Sequence, residues 1–188
     1  MIVLVRHAET EWSRDRRHTG RSDIPLTDAG RALAVALVPR LAEGGGSFDR
    51  VLSSPLSRAR ETCELAGLGE RAELADALLE WDYGAYEGLT TAQIRAERPG
   101  WELWRDGCPE GEDARAVGLR VDSLLDGLRD PDHSAVLFAH GHLLRVLAAR
   151  WLGLRPEDGR GFALSTGALC RLGHEHAHTA IWRWNEVV

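Results

Sequence analysis

Apolar residues fall along this chain in two rhythms. Ile2-Val3-Leu4-Val5 is an aliphatic run without helical period, and Ser134-Ala135-Val136-Leu137-Phe138-Ala139 repeats the pattern far downstream. Such runs predict strands buried on both faces. Elsewhere the spacing becomes helical. Thr27 is placed to cap a helix whose Leu33, Leu37 and Leu41 share one face, with Asp28 at its positive end and Gly44-Gly45-Gly46 closing it. Val117, Val121, Leu124 and Leu128 predict a helical face over 113–128, and Leu144, Leu147 and Trp151 another over 143–152. Shorter pieces complete the pattern. Phe48 to Leu52 predicts a strand, and Ser53-Ser54-Pro55 turns the chain into a helix running to about Ala66, with Arg58 and Arg60 near its start. Leu74 to Leu79 predicts a third strand or extended segment, and Thr90 to Arg98 a short helix stopped before Pro99. Glu11 to Ile24 predicts a polar loop and Trp101 to Glu112 an irregular stretch. Phe162 to Trp184 predicts one or two strands with turns at Gly167 and Gly173.

Strands alternating with helices in 188 residues predict a single α/β domain over 1–188, with 85–112 as an excursion covering the site. Composition narrows the function classes. A net charge of −6 without a basic cluster argues against nucleic acid as partner. No apolar run approaches the ~20 residues of a membrane span. A core strand beginning at Ile2 predicts no signal peptide, and three scattered cysteines (Cys63, Cys108, Cys170) predict reduced thiols, so the expected location is cytoplasmic. A homodimer is compatible with all of this. All 23 basic residues are Arg, so no lysine is available as a phosphate ligand or Schiff base.

The chemistry sits where the apolar runs stop. Both long strands end in histidine: Arg6-His7-Ala8-Glu9-Thr10 after the first, His140-Gly141-His142 after the second. Ligands of open α/β sheets bind beyond the carboxyl ends of the strands. Arg offers a permanent charged fork for phosphate oxygens, and His is a nucleophile or proton carrier near neutral pH. Taken alone, the Arg-His pair reads as well as a salt-bridged strand end. Glu80-Trp81-Asp82-Tyr83-Gly84-Ala85-Tyr86-Glu87-Gly88 packs carboxylates against aromatics, whose desolvating effect favours the protonated form a general acid needs. His140-x-His142 and His174-x-His176-x-His178 could each chelate a metal from one strand face, but no carboxylate lies at helical spacing from them, and the latter also reads as a polar hairpin.

These segments in this order resemble the histidine phosphatase (phosphoglycerate mutase-like) superfamily. The resemblance rests on Arg6-His7-Ala8-Glu9-Thr10, Pro25-Leu26-Thr27-Asp28-Ala29-Gly30, Ser53-Ser54-Pro55-Leu56-Ser57-Arg58-Ala59-Arg60-Glu61-Thr62, Glu80 with Tyr83-Gly84 and Glu87-Gly88, and His140-Gly141-His142. It implies a three-layer α/β/α sandwich with a mostly parallel sheet. It also implies His7 as a nucleophile that becomes phosphohistidine, Arg6, Arg58 and His140 as holders of the phosphoryl oxygens, and Glu80 as the proton donor. Substrate-binding positions implied by it are Ser13, Thr19, Gly20, Tyr83, Gly141 and His142, and no metal or cofactor is implied. Three positions depart from the usual pattern: Ala8 replaces Gly, Ser13 replaces Asn, and Thr91 stands where cofactor-dependent mutases carry a Lys. The missing Lys and the short chain favour hydrolysis of small phosphomonoesters, such as sugar or metabolite phosphates, over a phosphoglycerate mutase. The string around Glu80 resembles a subgroup that includes bacterial acid phosphatases and sedoheptulose bisphosphatases. A metal-dependent hydrolase and an inactive phosphate-ester-binding protein are the rival classes.

Overall fold

The structure is a computed structural model that describes residues 1–43 and 47–187. In chain order its strands and helices are β1 (Ile2–Arg6), α1 (Glu11–Arg14), α2 (Asp28–Ala42), β2 (Arg50–Ser53), α3 (Ser57–Leu65), β3 (Ala72–Leu74), α4 (Thr91–Glu97), α5 (Leu103–Asp106), α6 (Ala114–Asp126), β4 (Ala135–Ala139), α7 (Gly141–Trp151), β5 (Leu169–Glu175) and β6 (His178–Glu186). The strands form one sheet in the order β3-β2-β4-β1-β5-β6. β3, β2, β4 and β1 are mutually parallel, while β5 and β6 extend the sheet antiparallel.

The apolar runs explain the layering. Side chains alternate across a strand. Ile2 and Leu4 of β1, with Ala135 and Leu137 of β4, join one core that includes Val117 and Val121 of α6 and Leu143 and Leu147 of α7. Val3 and Val5, with Val136 and Phe138, join the other, with Leu37 and Leu41 of α2 and Cys63 of α3. Both faces of the two central strands are therefore covered, as a doubly buried strand requires. Each aliphatic side chain removed from water here contributes ~1.5–3 kcal/mol. Thr27 caps α2 as its sequence predicts, accepting from the Gly30 N–H at 3.0 Å. The three free cysteines are all buried, and burial pushes each thiol up to about 12.

Several local expectations give way. The apolar run 74–79 is a strand only as far as Leu74, which is 58% exposed; Asp76–Leu78 then turns as a 3₁₀ helix that drops Leu78 into the core. Gly173 lies inside β5 rather than at a turn, under the indole of Trp182. The hairpin turns at His176, whose φ of 54° supplies the left-handed residue. Gly167 does turn the chain, at φ 68°. The polar loop after β1 begins with the single turn of α1, and the irregular stretch 101–112 contains α5. The predicted helix end at Gly44-Gly45-Gly46 lies outside the described residues. Residues 85–112 add Ile94, Trp101, Leu103 and Trp104 to the α6–α7 core. No helix is long and apolar enough to cross a membrane among the described residues.

Candidate active site

Pairing of β1 with β4 sets Arg6 against Ala139, so the next residues, His7 and His140, emerge together. The His7 N–H donates to the Ala139 carbonyl at 2.9 Å, and the two rings lie 5.2 Å apart. His7 Nδ1 is 2.8 Å from the Ala8 carbonyl, which can only accept, so Nδ1 carries the proton and Nε2 the lone pair. Burial, then the charges of Arg58 and Arg6, hold the imidazole well below its usual range. His7 is thus a neutral ring with a fixed tautomer. Ala8 is completely buried; its N–H donates to Thr62 Oγ1, and its methyl packs with Leu26 and Ala34.

Arg58 enters at the start of α3, and its guanidinium is held on several sides. Nη1 donates to the Ser22 carbonyl at 2.8 Å, Nη2 to those of Thr19 and Gly20 at 3.1 and 3.0 Å, and Nε to His140 Nδ1 at 3.2 Å. That last bond makes Nδ1 of His140 the acceptor, so its Nε2–H donates to Ser54 Oγ at 2.7 Å. His140 is fully buried with both nitrogens engaged, and its one N–H is given to Ser54. Arg6 is different. One of its amino groups donates to the Leu164 carbonyl, while its Nε is buried without a hydrogen-bond partner. A Cβ on Gly141 would come within 3.2 Å of that guanidinium, which accounts for the glycine.

Glu80 reaches the site from the other side. Its Oε1 accepts from the N–H groups of Trp81 and Leu143, both at 2.9 Å, and its Oε2 from that of His142 at 3.1 Å. It therefore caps the N-terminus of α7, whose first free amides it satisfies. The aromatic surroundings expected from the sequence are present, since Trp81 is fully buried, but three amides accompany them. Behind Glu80, Arg120 of α6 donates to the carbonyls of Ala77 and Leu79 and pairs with Glu112 through two nitrogens, at 3.1 and 2.9 Å. Glu112 in turn accepts from the Asp82 N–H at 2.8 Å. Neither Asp82 nor Glu87 enters the cavity. Glu87 accepts from the N–H groups of Gly20 and Ser22, the loop that supplies carbonyls to Arg58.

A cavity of about 340 Å³ opens in front of His7 and Glu80, and its wall includes Arg6, His7, Ser13, Thr19, Glu80, Tyr83, Gly141 and His142, while the fully buried Arg58 and His140 lie behind it. Gly20 lies behind the wall, where a Cβ would be 2.6 Å from the Trp81 carbonyl; its place is between Glu87 and Arg58. Ser13 Oγ donates to the Thr10 carbonyl at 2.9 Å within a reciprocal cap of α1. Burial pushes the Tyr83 phenol well up and His142 well down, so a neutral phenol donates to a neutral ring, Oη to Nδ1, at 2.6 Å.

Sequence reasoning named none of Arg16, Arg17, His18, Arg145 and Leu164 as site residues, yet all border the cavity. His18, in the arginine-rich loop, packs its ring 4.8 Å from Tyr83 and 5.6 Å from Trp101, and burial lowers it to about 4. Arg145 lies one turn beyond His142 on α7, its guanidinium 4.6 Å from the centre of the Trp104 ring. Helical spacing from His142 was the available signal for Arg145. No group of three or more potential metal ligands comes together among the described residues, and His174 instead meets Trp151 edge to face, ring centres 5.2 Å apart.

Comparison with known proteins places this arrangement. Residues 2–187 match the family described as the histidine phosphatase superfamily (branch 1). The chain is 42% identical over 177 residues to an acid phosphatase of Mycobacterium tuberculosis, covering 93% of this chain and 87% of that one. It is 33% identical to the sedoheptulose 1,7-bisphosphatase of Saccharomyces cerevisiae (81% and 67% covered) and 35% identical to a 2,3-bisphosphoglycerate-dependent phosphoglycerate mutase of Brucella melitensis (88% of each). The fold superposes on the solved structure of an open-reading-frame product of Mycobacterium tuberculosis with a TM-score of 0.89, at 38% identity over 99% of this chain and 97% of that one.

Proposed function

The chain belongs to the histidine phosphatase superfamily, branch 1, and from that premise we propose that it hydrolyses small phosphomonoesters through a phosphohistidine on His7. Phosphatases among its relatives support the reaction class. The observation that carries the mechanism is the state of His7: a neutral ring with its Nε2 lone pair free, beside the unpartnered Nε of Arg6.

In the first step Nε2 of His7 attacks phosphorus in line as the bond to the ester oxygen breaks, and Glu80 delivers a proton to the departing alkoxide. In the second, Glu80 takes a proton from water as the water oxygen attacks phosphorus and His7 departs. Arg6 and Arg58 stabilise charge on the equatorial oxygens, with His140 joining by turning its Nε2–H from Ser54 to one of them. Positioning and charge stabilisation are most of what phosphoryl transfer requires, so two guanidiniums and an imidazole run it without a metal. Residues 85–112 cover the leaving-group side, and sugar or metabolite phosphates are the substrates.

Rapid quenching in base with labelled substrate tests this by trapping an acid-labile phosphoryl group on the peptide containing His7. His7→Ala loses both label and turnover, and substantial turnover by that variant would overturn the mechanism. Vanadate, which mimics five-coordinate phosphorus, inhibits more tightly than phosphate. The mutase relatives define a second reading, in which the phosphoryl group returns to the bound alcohol rather than to water. Release of inorganic phosphate in step with substrate loss distinguishes hydrolysis from that transfer.

A further inference from the structure

The charges around the cavity exceed what one phosphoryl group uses. Four arginines border it, Arg6, Arg16, Arg17 and Arg145, against the single carboxylate of Glu80, which three amides already serve. The bordering histidines add nothing to the balance, because burial holds His7, His18 and His142 neutral near pH 7. Arg6, with Arg58 behind the wall, suffices for the phosphoryl oxygens. Three cations remain.

None of the three has a carboxylate partner among the described residues. Arg145 gives Nε and Nη2 to the carbonyls of Gly159 and Arg160, which leaves Nη1 uncommitted. Arg17 lies 5.9 Å from the centre of the Trp12 ring with no ion pair. Arg16 turns the chain out of α1 at φ 58°, with its own N–H and that of Arg17 closing onto the Ser13 and Trp12 carbonyls, so the turn sets both guanidinium-bearing side chains beside the cavity without an ion pair. Adjacent like charges at a cavity mouth repel one another, and in a chain of net charge −6 such a concentration is local. A bound anion relieves both the repulsion and the desolvation of Arg145.

From this arrangement we infer that the substrate carries a second anionic group, a carboxylate or a second phosphate, which Arg16, Arg17 and Arg145 hold while its phosphoryl group meets His7. The inference rests on the phosphatase reading above and names the substrate class for the same site.

Three esters on one propyl skeleton test it: 3-hydroxypropyl phosphate, 3-phosphooxypropanoate and propane-1,3-diyl bisphosphate. The wild-type enzyme is expected to favour the last two over the first by about 10–100-fold in kcat/KM, an effect of two or three partly exposed charge pairs. Whichever of the two is faster identifies the second group as carboxylate or phosphate. In the double variant Arg16→Gln, Arg17→Gln the ratio of acidic to neutral ester collapses toward unity. In the wild type the ratio also falls as ionic strength rises, a readout independent of any variant. Equal kcat/KM for the three esters overturns this inference and leaves the phosphatase reading standing. Failure to release phosphate from all three, and from p-nitrophenyl phosphate, overturns that reading itself.

Discussion

The two ends of the cavity are built on opposite plans. Around His7, Arg58 has donors tied to three loop carbonyls and a ring, His140 is held at both nitrogens, and Glu80 accepts three amides. At the mouth, Arg16 and Arg17 are exposed with no ion pair, and Thr91 reaches His18 only across 3.4 Å. One end is fixed before substrate arrives, which suits charge stabilisation in a transition state. The other is left adjustable, which suits choice of leaving group. On the proposed mechanism, chemistry and selectivity fall to differently ordered ends of one pocket.

The sharpest test of that contrast is Glu80→Gln. Loss of a general acid predicts ~10²–10⁴-fold slower turnover of esters with poor leaving groups and a smaller loss on p-nitrophenyl phosphate. Equal losses on both would leave Glu80 only its part as a helix cap. A second test is thermodynamic. His18 ionises at about 4 in the fold but near 6.5 once unfolded, so the unfolded chain takes up a proton first as pH falls. Its contribution to stability is whole above pH 6.5 and declines between 6.5 and 4, by up to about 3 kcal/mol. Urea unfolding at pH 7 and 4.5 should therefore show a smaller difference in His18→Gln than in the wild type. Next comes Glu87→Ala, which frees the amides of Gly20 and Ser22 and loosens the carbonyls that align Arg58. A ~10-fold fall in kcat, with vanadate affinity falling alongside, is expected from a disturbed oxyanion ligand. Unaltered vanadate inhibition would separate Glu87 from Arg58. The smallest effect belongs to the mouth: Thr91→Val should alter kcat/KM for p-nitrophenyl phosphate by less than about threefold, as a weak exposed bond implies.

The legible parts of this molecule were those where one local pattern sufficed. The aliphatic runs before His7 and His140 announced buried strands, and those strands set the two rings together at the carboxyl ends of neighbouring central strands. Helical faces at 113–128 and 143–152 were equally plain, because a 3.6-residue period survives without tertiary context. The run from Leu74 to Leu79 misled for the opposite reason: a 3₁₀ turn buries Leu78 while leaving Leu74 outside, and no period records that. Bracing residues were harder still. Arg120 and Glu112 sit eight residues apart and read as ordinary surface charges; only the fold shows them gripping the chain that presents Glu80. His18 stayed hidden in an arginine-rich loop, since its burial comes from Tyr83 and Trp101, which lie far away in sequence.

The place of β1 has a consequence for how the molecule is made. Its neighbours are β4, at residues 135–139, and β5, whose paired residues are 169–172. The segment bearing His7 leaves the ribosome long before either of its two partners. Until they do, Ile2 to Val5 has no sheet to enter, and long-range pairing of this kind is slow. Assembly of the site is thereby deferred until residues 135–172 have been made. A nascent chain halted before residue 135 carries His7 and Arg58 without the strand that brings them together.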